Sequence, residues 1–162
     1  MSLLVFGATG QVARELARAR PSATYLGRDR VDLADPEACA AAIREARPTA
    51  VINAAAHTAV DRAEGEEALA TTINGAAPTA MARECAALGI PFLHISTDYV
   101  FDGSGIEPFR PDDATGPLGA YGRSKLVGED GVRAAMNEGG GTHAILRTSW
   151  VFSAHEIGRA HV

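Results

Sequence analysis

The chain has 162 residues, with 15 Lys and Arg against 20 Asp and Glu, a formal net charge of −5, and 46% hydrophobic residues. That length suits one domain and buries about 70% of the unfolded surface, and the composition excludes a disordered or collagen-like chain. The acidic balance weighs against nucleic acid as a partner, because phosphate neutralisation needs a basic face. The first apolar run, residues 3–6, is cut by Gly7. It falls far short of the ~20 residues of a membrane span and lacks the basic start of a signal peptide. No membrane association and a cytoplasmic location are therefore expected. Cys39 and Cys85 sit in Ala-rich stretches and read as buried neutral thiols of a reducing compartment rather than as ligands or a disulfide.

Residues 3–6 read as a first strand, turning through Gly7 and Gly10 into a helix with Val12, Leu16 and Ala19 on one face. Residues 24–26 form a short second strand. Asp35 caps a second helix whose first position is Pro36, and residues 51–53 make a third strand. A long helical stretch from about residue 66 to Leu88 stops at Gly89. Pro78 inside it predicts a kink or break near Asn74, because it removes a backbone donor. Residues 91–95 form a fourth strand and residues 102–117 a loop rich in Gly, Pro and Asp. Helix resumes near Ala120, and residues 144–147 form a fifth strand. Such alternation implies right-handed crossovers, hence an α/β fold with a doubly wound parallel sheet, Rossmann-like and covered on both faces.

Three places carry chemistry. Gly7 permits a tight turn after the first strand, and Gly10 lets a pyrophosphate approach the helix N-terminus, with Ala13 still small enough for close packing. At the end of the second strand, Arg28 favours the 2′-phosphate of NADPH, while the adjacent Asp29 keeps NADH open. Tyr121 and Lys125 lie four apart and share a helix face. A phenol titrates at about 10, and a neighbouring ammonium lowers that value and makes the proton transferable. Thr97 ends the fourth strand, where open α/β sheets place their ligands, and can donate to a substrate carbonyl. Asp and Glu are scattered, so no metal site is read.

F-G-A-T-G-Q-V (6–12), V-I-N-A-A-A-H-T-A-V-D (51–61), S-T-D-Y-V-F-D-G (96–103), Y-G-R-S-K (121–125) and R-T-S-W-V-F (147–152) together resemble the extended short-chain dehydrogenase/reductase family. Within it they are similar to the reductases that convert dTDP-4-dehydro-L-rhamnose to dTDP-L-rhamnose by hydride transfer from NADPH or NADH. The resemblance implies that Thr97, Tyr121 and Lys125 are catalytic, Lys125 also holding the nicotinamide ribose. It implies that Gly10, Gln11 and Val12 lie along the pyrophosphate, with Gly7 at the cofactor-binding turn, Asp32 and Leu33 beside the adenine, and Ala55, Ala56, His57 and Thr58 along the cofactor. Asp98 and Trp150 would touch the dTDP-sugar, and the full-length form allows a homodimer.

Two other readings compete: another nucleotide-sugar epimerase or reductase of the family, or a non-catalytic dinucleotide-binding regulatory subunit. The S-T-D-Y-V-F and R-T-S-W-V-F strings weigh against the first. Retention of Thr97, Tyr121 and Lys125 weighs against the second. Residues 1–155 are expected to form the dinucleotide-binding domain. Residues 156–162 do not resemble the family's continuation; their codons can be those of a sequencing adapter, and a non-native tail is expected. With the C-terminal substrate region expected to be absent, the sheet edge beyond the fifth strand would be exposed. Little or no reductase activity is expected of these residues alone.

Overall fold

Five parallel strands, β1 (Leu3–Phe6), β2 (Thr24–Leu26), β3 (Ala50–Asn53), β4 (Phe92–Thr97) and β5 (His143–Thr148), line up in the order β2-β1-β3-β4-β5. The computed structural model describes residues 2–155, so the expectation for residues 156–162 lies outside the described residues. Register fixes the two faces. Leu4 pairs with Val51 and Val51 with Phe92, while Phe6 pairs with Asn53 and Asn53 with His94. Partners across parallel strands share a face, so Leu4, Phe6, Val51 and Phe92 look one way. Helices α2 (Pro36–Ala46), α5 (Ala77–Leu88) and α6 (Ala120–Glu138) supply Ile43, Met81, Val132 and Met136 to the core built on them.

Helix α1 (Gln11–Ala19) leaves β1 towards β2, whereas α2 returns past β1 to β3. Right-handed crossovers in opposite directions put these helices on opposite faces, which is the doubly wound arrangement. The second face is less completely covered than expected. Ile52, Leu93 and Ile95 are only half-buried there, and Ala144 and Leu146 are exposed. A groove of about 290 Å³ runs over Leu3, Ile52, Leu93 and Ala144.

Local signals account for most helix ends. Asp35 Oδ1 accepts the Ala38 N–H at 3.0 Å, and Pro36 takes the first position of α2. In α1 the buried residue is Ala13, with Val12 and Leu16 half-buried and Ala19 exposed; the buried stripe therefore ends earlier than the spacing predicts. The long helical stretch is broken as Pro78 requires. It divides into α4 (Glu67–Thr71), a π turn over Thr72–Ala76 and α5, the wider turn relieving the backbone ahead of the proline. Helix α3 (Val60–Gly65) was not expected, and β4 runs on to Thr97 because its pairing with β5 continues that far. Cys39 and Cys85 are buried and unpaired, and burial pushes both thiols up to about 12. No helix of the described residues is long and apolar enough to cross a membrane.

Phe92 is fully buried where the sheet meets the helical layer. Phe92→Ala is expected to lower the unfolding free energy by about 3–5 kcal/mol in urea titrations. A loss below ~1 kcal/mol would contradict this placement of the core.

Candidate active site

The order β2-β1-β3 reverses direction at β1, and such a switch point opens a crevice at the carboxyl ends of the neighbouring strands. Gly7 closes β1 with φ of +114°, and a Cβ there would stand 3.2 Å from the Ala54 carbonyl carbon and oxygen. Only glycine combines that dihedral with so close an approach. It brings the turn after β1 against the segment after β3. Gly10 caps α1 without a side-chain hydrogen bond, and a helix N-terminus of this kind favours an anion.

The segment after β3 is held by buried amides. Asn53 Oδ1 accepts the Ala55 N–H at 3.1 Å. Asn74, buried in the π turn, accepts the His57 N–H at 2.8 Å and donates to the His57 carbonyl at 3.0 Å and to Ser124 Oγ at 2.9 Å. Ser124 Oγ donates in turn to the Tyr121 carbonyl at 2.7 Å. One side chain thus stitches the loop that carries Ala55, Ala56 and His57 to the helix that carries Tyr121. Thr58 is exposed beyond it. The His57 ring has Nε2 3.5 Å from Glu66 and a buried Nδ1 without a hydrogen-bond partner.

Thr97 ends β4 and Tyr121 opens α6. A Cβ at Gly122 would collide with the Tyr99 carbonyl oxygen, so glycine there lets α6 close down on residues 97–99. Thr97 Oγ donates to Asp98 Oδ1 at 3.1 Å and accepts the Tyr99 N–H at 3.2 Å. The Tyr99 and Tyr121 rings meet edge to face at 5.6 Å. Burial pushes the Tyr121 phenol above its usual range, a hydrogen bond with Thr97 opposes this, and the charges of Asp98 and Tyr99 add to it. Asp98 Oδ2 also accepts from Ser149 Oγ at 2.6 Å. Next to Ser149, Trp150 is 72% exposed with φ of +50°, so it is no core residue.

Lys125 corrects the expected chemistry. It is 2% exposed, and its Nζ donates to the Ile95 carbonyl at 2.7 Å while lying 3.3 Å from His94 Nε2. Burial lowers its amine to about 8, against an opposing pull from Glu129. The amine is turned under the sheet end, and the phenol one turn away is raised rather than lowered. His94 is fully buried, with Nδ1 3.2 Å from Asn53 Nδ2. Burial first, and Lys125 second, hold it neutral, well below the usual histidine range.

Glu129, one turn further along α6, is also buried. It accepts from Ser96 Oγ at 2.6 Å, from Arg147 at 2.7 Å and from Arg133 at 2.7 Å. Burial raises its carboxyl, but the hydrogen bonds from Arg147, Ser96 and Arg133 bring it below the usual value. Arg147 also donates to the Pro111 carbonyl at 3.1 Å and lies 4.7 Å over the Phe101 ring, anchoring the 102–117 loop. Asn53, Asn74, His94 and Glu129 were not singled out in the sequence, although polar residues inside apolar strand and helix runs were the available signal.

Of the remaining candidates, Arg28 is 79% exposed in its side chain and pairs with Asp32 at 3.2 Å in the loop after β2. A backbone hydrogen bond from Ala34, opposed by burial and aided by Arg28, lowers the Asp32 carboxyl. Leu33 packs into the hydrophobic core. Gln11 and Val12 line a groove of about 390 Å³ with Val151 and Phe152.

The family described as RmlD substrate binding domain matches residues 1–161. The chain belongs to this family. Its RmlD-type sequence is 46% identical over 158 residues to the dTDP-4-dehydrorhamnose reductase of Sinorhizobium fredii NGR234, covering 96% of this chain and 52% of that protein. It is 43% identical over 164 residues to the Escherichia coli K12 reductase, covering 94% and 52%. The chain spans about half the length of the curated relatives it matches. Among solved structures, a dTDP-4-dehydrorhamnose reductase from Clostridium acetobutylicum superposes with a TM-score of 0.88 at 35% identity, over 95% of this chain and 55% of that one. The Bacillus anthracis reductase in complex with NADP gives 0.85 at 30% identity, over 93% and 54%. A Thermus thermophilus UDP-glucose 4-epimerase complex with NAD, at 24% identity and a TM-score of 0.81 over 96% of this chain and 57% of that one, shares the fold.

The Glu129 carboxyl titrates lower in the folded chain than its ordinary value, so its stabilisation is present at neutral pH and lost as pH falls through the folded value. Glu129→Gln, which leaves Arg147 without its charge partner, is expected to cost about 3–5 kcal/mol at neutral pH. The cost should shrink in urea titrations well below pH ~4.3. An equal cost at both pH values would argue against the ionised carboxylate.

Proposed function

We propose that the chain is the dinucleotide-binding part of a reductase acting on dTDP-4-dehydro-L-rhamnose, giving dTDP-L-rhamnose, with residues 1–155 as one domain. NADPH is the proposed hydride donor, with NADH as an alternative. The observation that carries the reading is the close approach of α6, with Tyr121 in its first turn, to residues 97–99 at the carboxyl end of β4, beside the turn at Gly7. The relatives named as reductases and the Bacillus anthracis protein in complex with NADP support it.

The residues present fit a dinucleotide. A side chain at position 7 would fill the cradle between β1 and β3, and Gly10 presents the start of α1 without a covering side chain. In this reading Gly7, Gly10, Gln11 and Val12 hold the pyrophosphate. Arg28 offers its guanidinium to a 2′-phosphate, and Asp32 and Leu33 border the adenine. Ala55, Ala56, His57 and Thr58 line the cofactor. When bound, the nicotinamide supplies a hydride to the C4 carbonyl carbon. The Tyr121 O–H gives its proton to the carbonyl oxygen, so ketone becomes alcohol and the phenolate is reprotonated from solvent. Thr97 orients that carbonyl, which requires its hydroxyl to turn from Asp98. Lys125 holds the ribose, and Asp98 and Trp150 contact the sugar nucleotide. The partner is a dTDP-sugar rather than nucleic acid, and the unpaired cysteines favour the cytoplasm.

In a polypeptide of the relatives' full length carrying these residues, Tyr121→Phe is expected to lower turnover by about 10²–10⁴-fold while NADPH still binds. Undiminished turnover would remove Tyr121 from the reaction. With the 162-residue chain itself, NADPH fluorescence titrations should show Arg28→Ala weakening NADPH binding but not NADH binding. Equal losses for both nucleotides would deny Arg28 its role at the 2′-phosphate.

A further inference from the structure

Lys125 is the single lysine of a chain with fourteen arginines, and its amine is buried. A guanidinium stays charged in proteins, whereas a lysine can become a neutral amine. What stands opposite the amine decides which form fits. Asn53 Oδ1 accepts from the Ala55 N–H, so the amide nitrogen of Asn53 must be the atom facing His94 Nδ1 at 3.2 Å. An amide nitrogen only donates, so Nδ1 has to accept, and the proton of the neutral ring sits on Nε2. That Nε2–H points at Lys125 Nζ, 3.3 Å away.

An ammonium has three donors and no acceptor, so it would meet the Nε2–H donor to donor. Rotating the Asn53 amide would satisfy His94 in its other tautomer, but would set the amide nitrogen against the Ala55 N–H. The conflict moves without disappearing. A neutral amine removes it, donating to the Ile95 carbonyl at 2.7 Å and accepting from His94 through its lone pair. The groups facing Lys125 are the Ile95 carbonyl and His94 from β4, Asn53 behind it from β3, and Glu129 from α6. Glu129 carries the charge among these, and Arg147 and Arg133 already pair with it.

We infer that His94 is a positioning residue for Lys125: oriented by Asn53 and the Ala55 N–H, it donates from Nε2 to the deprotonated amine and so makes the lysine's proton easier to lose. The ammonium, the form that predominates below the midpoint, has to turn its donors away from the His94 Nε2–H. The direction of hydrogen bonding set at Ala55, a residue of the proposed cofactor loop, thus reaches the amine through two side chains. For turnover, the arrangement matters only within the reductase reading above.

Nitrogen-15 NMR of the chain without nucleotide tests this directly, because one lysine gives one side-chain signal. His94 is expected to be the Nε2–H tautomer across neutral pH, and the Lys125 signal to titrate near 8. His94→Gln, whose amide can turn an oxygen towards the amine, is expected to raise that midpoint by about one pH unit or more. An Nδ1–H tautomer in the unmodified chain overturns the inference. So does an unmoved midpoint in a folded His94→Gln variant, since burial alone would then set it. If the variant does not fold, the tautomer of the unmodified chain still decides. Adding NADPH separates the two readings: absence of shifts at the Gly7 and Gly10 amides counts against dinucleotide binding, while the tautomer and midpoint are read independently of it.

Discussion

Four polar side chains, Asn53, His94, Lys125 and Glu129, are buried where the sheet's carboxyl ends pass beneath α6, and the need to satisfy them constrains everything around the site. Burying a charge or amide without a partner costs several kcal/mol, so each donor must find an acceptor within the same layer. The strands answer with backbone carbonyls and short side chains, and α6 answers with residues one turn apart. The hydrophobic core below is formed by the same strand face: Leu4, Val51 and Phe92 lie on the face that carries Asn53 and His94 further along. A single face therefore changes from apolar to polar along the strands, and that gradient locates the site.

The same requirement ties loops to helices. Asn74 clamps the segment after β3, and Ser124 passes that connection on to the start of α6. Arg147 extends the network outward from Glu129 to the loop between β4 and α6. Catalytic candidates at three distant points in the chain are thus held relative to one another by buried hydrogen bonds rather than by packing alone.

The sequence made the sheet legible because its strands are short, continuous apolar runs and its turns carry glycine and proline. The break in the long helical stretch was legible for a covalent reason, the missing N–H of Pro78. The approach of the first turn of α6 to the end of β4 could be read from strand-end placement and helical spacing. The direction of the Lys125 amine could not. Spacing shows that Tyr121 and Lys125 share a helix face, but the Ile95 carbonyl that captures the amine is a backbone atom of another element, invisible to side-chain patterns. The partly open second face had the same cause: apolar strand residues reveal that a surface wants cover, without revealing which segment provides it.

The π turn at Thr72–Ala76 amounts to one surplus residue lodged in a helix. Since each helical residue advances the azimuth by about 100°, this surplus sets the phase between the segment entering the turn and the segment leaving it. A one-residue deletion here would restore regular helix geometry and gain local hydrogen bonding, yet swing Asn74 off its bearing towards His57 and Ser124. Helix length at this point is accordingly not free to drift, and the insertion acts as a phase adjuster between the core-packing helix and the chemistry above it.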